Sequence, residues 1–334
     1  MSHFTVAVIT KGKPAIEEIE LALAPYQENN MGDCPREYMK FHSYSEEYKD
    51  EYENGTTERA KMPSGRLVYT WSSELNREIS KEEYEKLKAE NVKGLGMTRG
   101  FNEPERYYIR DLEYVGAEIV TIPYKKLYKT FNEYLEEEQN AKFDEEMQDY
   151  GYWENPNAKW DWYQIGGRYA GRIRTNANNE DVGYGEKSLF YGSKNPYESE
   201  NENIKCVDSA RVKDIIVNDP NEYKRKLRFW ELYVEGQEPQ NEEEKDMIKW
   251  VFYKKEYFIN KYGTKERYAE LESTFTTWAV ITKDGQWHEA GTMGWFACSS
   301  ATIDEEVAFQ ENYKKFVFDN AEEDDYMTLV DCHI

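Results

Sequence analysis

The stretch Met327-Thr328-Leu329-Val330-Asp331-Cys332-His333-Ile334 reads as a β-strand, and the sequence ends inside it. A strand in that position has to be covered and paired, because an open edge invites aggregation. The neighbour on offer is at the other end of the chain. Phe4-Thr5-Val6-Ala7-Val8-Ile9-Thr10 is short, apolar and β-branched, and Lys11-Gly12-Lys13 stops it. Pro14 then stands where a helix can begin, and Ile16, Ile19, Leu21 and Leu23 form its apolar stripe before Pro25 ends it. Near the far end, Thr277–Ile281 and Gln286–His288 flank Asp284-Gly285, the signature of a tight hairpin turn that needs a positive φ. A helical pattern follows over 304–318. The predicted fold is therefore α+β: a ferredoxin-like mixed or antiparallel sheet of about four strands, formed by both chain ends, with helices on one face. Residues 1–27 plus 275–334 make this terminal core, and 28–274 are a large helical and irregular insertion.

Within the insertion, residues 28–64 are polar, Tyr-rich and aperiodic, an extended surface excursion. Ser80 followed by Glu83 caps a helix over 78–92. Leu127–Tyr150 reads as a longer helix, and 239–262 contains a third, with Met247, Trp250, Val251 and Phe258 as core positions. Residues 176–203 are a loop by composition.

Carboxylates outnumber cations 66 to 43, giving a net charge of −23. So acidic a chain repels nucleic-acid phosphates, and no direct nucleic-acid binding is expected. No run of about 18 apolar residues is present, and the start lacks a secretory pattern, so neither membrane association nor export is expected. A mean hydropathy of −0.96 would suit disorder, but 9 Trp, 28 Tyr and 14 Phe supply ample surface to bury. Cys34, Cys206, Cys298 and Cys332 form no disulfide framework by spacing. Acidic runs recur at 44–58, 133–149, 198–202, 242–246 and 322–325. Spread over a surface they can imitate a phosphate backbone, or simply keep the protein solvated. The basic patch Lys224-Arg225-Lys226-Leu227-Arg228, with Lys213, is a feature a pure mimic has no need of.

The densest chemical signal is Trp160-Asp161-Trp162-Tyr163-Gln164-Ile165-Gly166-Gly167-Arg168-Tyr169-Ala170-Gly171-Arg172-Ile173-Arg174. If the part after the glycines is extended, Arg168, Arg172 and Arg174 share one face. Guanidinium forks match phosphate or carboxylate, and the glycines let backbone N–H groups approach an anion. Trp160 and Trp162 would stack on a base. A small phosphorylated ligand, a nucleotide among them, is the functional reading. The plain reading is that these arginines pair with the protein's own carboxylates while the tryptophans fill the core.

Of the four histidines, His3 and His333 lie on the two terminal strands. If these pair with apolar faces together, His3, Asp331 and His333 fall on one side of the sheet, a candidate proton relay. His288-Glu289 beyond the hairpin could join them. No His/Cys spacing typical of a metal site occurs, so no metal and no cofactor is expected. Cys332 reads as buried filler.

The opening Ser2-His3-Phe4-Thr5-Val6, the central Lys159-to-Arg168 segment and the closing Val330-Asp331-Cys332-His333-Ile334, with Gly294-Trp295-Phe296, resemble a family of tailed-bacteriophage proteins that has no established activity. Tyr169 stands where that pattern usually has Trp. The resemblance implies a phage accessory protein made in the host bacterial cytoplasm, and supplies no catalytic residue. It favours a protein that binds and inhibits a host defence or nucleic-acid-processing protein through its acidic, partly DNA-mimicking surface. The alternatives are a pocket protein or enzyme that sequesters or cleaves a small phosphorylated nucleotide, and a structural phage protein.

Overall fold

The structure is a computed structural model that describes residues 2–99, 104–176, 182–183, 203–294 and 298–334. Most of the 176–203 loop, the acidic run at 198–202 and Trp295-Phe296 lie outside the described residues. The chain forms two compact units, residues 1–40 with 154–334 and residues 41–153. The expected boundaries at 27/28 and 274/275 therefore move, because residues 154–274 contribute strands and helices to the terminal body itself.

The first unit is built on a seven-stranded sheet: β1 (His3–Lys11), β2 (Trp162–Ile165), β3 (Val182–Gly183), β4 (Ser209–Arg211), β5 (Ala279–Ile281), β6 (Trp287–Glu289) and β7 (Asp325–His333). Both chain ends are in it, as expected. β1 and β7 pair antiparallel over nine positions, from His3 opposite His333 to Lys11 opposite Asp325. β5 pairs with the other edge of β1, parallel, with Val6 opposite Ala279, and this pair makes the sheet mixed. β6 returns antiparallel to β5 through Gly285, whose φ of +79° is what the Asp-Gly signal called for. The second edge of β7 is shared between β4, opposite Tyr326–Thr328, and β2, opposite Val330–His333. No edge of the closing strand is left open.

Both faces of this sheet are covered, not one. α1 (Ile16–Leu23) buries Ile19 and Leu23 against Phe4, Val6, Val8, Val330 and Cys332. Of its predicted stripe, Ile16 and Leu21 are exposed. On the opposite face Ala7, Ile9, Met327 and Leu329 pack against Tyr313, Val317 and Ile173. The reason is legible in β1: Phe4 to Ile9 is a nearly unbroken apolar run, the pattern of a strand with two dry sides. Each fully buried Val or Leu on these faces contributes roughly 1.5–3 kcal/mol.

A helical layer carries α2 (Pro220–Tyr233), α3 (Glu242–Lys249), α4 (Lys255–Tyr262) and α5 (Lys265–Ser273). Trp230, Phe258, Tyr262, Tyr268 and Leu271 close it around Val307 of α6 (Ile303–Lys314). The expected single helix ending at Tyr262 is thus two, and Trp250, between them, is 79 % exposed rather than core. The basic patch on α2 is largely neutralised from within: Arg225 pairs with Glu222, Lys226 with Glu272, and Arg228 forks Glu244 at 2.8 and 2.9 Å.

The second unit holds three three-stranded sheets, centred on Thr56–Lys61, on Arg106–Arg110 and on Asp149–Glu154. Ser80 caps Lys81–Ala89 by accepting from the Glu83 N–H at 3.1 Å. The helix expected over 127–150 stops at Glu137, and Phe143–Asp144 and Asp149–Glu154 are strands. Asn140 and Gln148 there have positive φ, which a helix cannot continue through. The core is tyrosine-rich, with Tyr124, Tyr128, Tyr134 and Tyr150 buried. Inside it Arg59 pairs with Glu138, which also accepts from the hydroxyls of Tyr69 and Tyr128. Burial opposes the charged Glu138, but the Tyr128 hydroxyl and Arg59 guanidinium outweigh it and hold the carboxyl below the usual range.

Removing one partner strands a buried charge, so Arg59→Ala is expected to cost about 3–5 kcal/mol in urea denaturation. A depressed carboxyl stabilises the fold above its unfolded pKa and ceases to do so as pH falls. The same titration on the unmodified protein should therefore show this unit weakening below about pH 4. An unchanged midpoint in Arg59→Ala counts against the ion pair as a structural element.

Candidate functional site

The β1–β7 register sets Thr5 opposite Asp331 and His3 opposite His333. Side chains of paired residues project to the same side, so the predicted grouping of His3, Asp331 and His333 is present. His3 Nδ1 lies 2.9 Å from Asp331 Oδ1, and His333 Nδ1 lies 2.6 Å from Asp161 Oδ1. An ionised carboxylate only accepts, so both imidazoles carry their hydrogen on Nδ1. The two rings meet edge to face with centroids 5.0 Å apart, and the Trp162 ring lies 6.0 Å from that of His3. Asp331 is fully buried and His3 only 10 % exposed. Among the described residues the one trio of His, Cys, Asp or Glu close enough to share an ion is Glu322, Asp324 and Asp325, far along β7 from the imidazoles. His288 does not join them: it stacks on Phe316, and Glu289 pairs with Lys159. Cys332 is buried on the other face, where desolvation pushes its thiol well above the usual value.

The glycine-rich segment binds anions, but they are the protein's own. After β2 the chain makes a short 3₁₀ turn, Gly167–Tyr169, with Gly166 and Gly167 at φ +68° and +50°. The Arg168 N–H donates to Asp331 Oδ2 at 2.9 Å, and the Gly171 N–H donates to Asp208 Oδ1 at 2.6 Å. A Cβ on Gly166 would fall 2.6 Å from the Asp208 carboxyl, and one on Gly167 would fall 2.5 Å from Asp331. The glycines let two buried carboxylates approach the backbone, and Asp331 thereby joins this turn to His3.

This turn also breaks the expected line of guanidinium groups. Arg168 sits in the turn, apart from the other two. Arg174, on the strand Ile173–Asn176, is clasped by Asp219 at 2.7 Å, the residue that also caps α2. Arg172 differs. Its Nη1 is 3.5 Å from Thr5 Oγ1 and its Cζ lies 5.6 Å from the Phe275 ring centroid. No carboxylate among the described residues forms an ion pair with it. The tryptophans part as well: Trp160 is buried with its indole N–H on the Leu23 carbonyl at 3.1 Å, whereas Trp162 is half-exposed. They do not form a common stacking face, because Trp160 bridges to Gln27 before the chain turns to pair with β7.

Arg172 and His3 line one cleft of about 420 Å³, together with Thr5, Tyr169, Lys261, Trp278, Glu306 and Phe309. Lys261 is 9 % exposed and pairs with Glu306 at 2.5 Å. Burial would lower its ammonium pKa, and Glu306 more than compensates, so it is raised and the group stays charged. Of the candidates named from sequence, only His3 and Arg172 reach this cleft. Lys261, Trp278 and Glu306 carry no local sequence signal, since helices and strands far apart in the chain bring them there, and Asp161, the partner of His333, lies outside the cleft. No helix among the described residues is long and apolar enough to cross a membrane. No protein-family description, curated protein or solved structure matches this chain.

Gly167→Ala is expected to lower stability by on the order of 2–4 kcal/mol, combining a strained φ with a clash on a buried carboxylate. Thermal melting checks this, and a melting temperature equal to the unmodified protein's contradicts the close approach.

Proposed function

We propose that the protein binds a small phosphorylated ligand, of nucleotide size, in the cleft between β1 and α6. The observation that carries this reading is Arg172: a guanidinium group in the wall of the cleft, without a carboxylate partner among the described residues. A planar fork with no ion pair among the described residues is suited to phosphate. Tyr169, Trp278 and Phe309 offer aromatic faces on which a base stacks, and the volume lies within the range of small-molecule sites. Calorimetric titration with adenosine mono-, di- and triphosphates, cyclic nucleotides and inorganic phosphate tests it. Arg172→Ala is expected to weaken binding at least about 10-fold, with little change in melting temperature. No binding by any member of the panel retires the reading.

A second reading, a phage accessory protein that docks on and inhibits a host protein, is favoured by one observation besides the charge. Trp250 and Phe252, just past the C-terminal end of α3, are 79 % and 95 % exposed. Large exposed aromatics side by side are uncommon on a monomer surface and are typical interface anchors. Replacing both with Ser should abolish capture of a host protein without lowering stability. The acidic trio Glu136-Glu137-Glu138 is unsuited to such a test, because Glu138 is the buried partner of Arg59 and Glu136 accepts from Tyr150.

A further inference from the structure

The charges in the wall of the cleft restrict both the ligand and what happens to it. Its charged lining groups are Arg172, Lys261 and Glu306, with His3 beside them. Lys261 and Glu306 are matched within their ion pair, and the buried Asp331 behind His3 is engaged by that ring and the Arg168 N–H, which leaves Arg172 as the cation of this lining with no ion pair among the described residues. A lining that offers one unpaired cation matches a phosphodiester, which carries a single negative charge. A monoester or polyphosphate brings two or more, and the excess would be held in a protein of net charge −23. His3 lies in the same wall with its ring held at Nδ1 by a fully buried carboxylate. The other oxygen of that carboxylate is fixed by the Arg168 N–H, so the support of the ring is itself rigid. An imidazole oriented by a carboxylate beside a bound phosphate is the arrangement of a general base.

Resting on the binding reading above, we infer that the cleft hydrolyses a small nucleotide phosphodiester, with His3 as the catalytic base. Arg172 holds the non-bridging oxygens. A water molecule attacks phosphorus, and its proton passes to His3 Nε2 as the new P–O bond forms. One ester P–O bond breaks, and the departing oxygen takes a proton from solvent. The products are an alcohol and a phosphate monoester, whose second negative charge matches the site less well and favours release. His333 does not line the cleft and packs against the His3 ring, so it acts as a positioning residue together with Asp331.

The experiment incubates the full chain with cyclic adenosine and guanosine monophosphates and with the dinucleotide adenylyl-adenosine. AMP and ADP serve as monoester and anhydride comparisons. Phosphorus NMR follows product, and calorimetry follows binding. At least one diester is expected to be cleaved, with the monoester and anhydride untouched. His3→Asn retains an N–H toward Asp331 but lacks a base, and is expected to lower kcat by about 100-fold or more while KM changes less than about threefold. Its circular dichroism and melting temperature report whether it folds. If it does not, His3→Gln takes its place under the same criteria. Binding that depends on Arg172 without cleavage of any diester overturns this inference and leaves the binding reading intact. Cleavage that survives loss of His3, or that prefers the monoester, also overturns it. Absence of binding removes both.

Discussion

The antiparallel pairing of β1 with β7 is the constraint from which the rest of the first unit follows. It brings His3 and Asp331, 328 residues apart in sequence, to within hydrogen-bond distance. It also gives Asp331 two duties, as acceptor for the His3 ring and as anchor for the glycine turn. That turn delivers Arg172 to the cleft on the same side of the sheet. A one-residue slip in this register would send every side chain to the opposite face and dismantle the arrangement.

How much of this was legible in the sequence depended on whether a signal was local. The terminal strands, the Asp-Gly hairpin, the Ser80 cap and the grouping of His3, Asp331 and His333 followed from alternation and turn chemistry. Cover on both faces was written in the same strand, since Phe4 to Ile9 carries no polar side, whereas a sheet covered on one face calls for alternation. The expected line of Arg168, Arg172 and Arg174 failed because it assumed extended backbone across glycines that adopt positive φ. The helix over 127–150 failed because its acidic periodicity hid turn residues at Asn140 and Gln148. Lys261, Trp278 and Glu306 were beyond reach, because only tertiary packing sets them beside β1.

The charge balance reads differently once the partners are known. Many cations in this acidic chain are already matched, among them Arg59, Arg174, Arg228 and Lys261. The backbone amides of the glycine turn are matched as well, by Asp208 and Asp331. Against that background, Arg172 stands out as an arginine in a cleft wall with no ion pair among the described residues. Local rules were therefore a better guide to what holds the protein together than to where it can act.

The order in which the ribosome delivers the strands matters for assembly. β1 emerges well before β5 and β7, the partners of its two edges. Closing so large a loop is entropically slow, while residues 41–153 can condense from contacts among themselves. During that interval a strand with a long apolar run stands with unpaired backbone, so nascent chains should rely on chaperone protection. Truncations that remove β7 should leave the 41–153 unit folded and the remainder prone to aggregate.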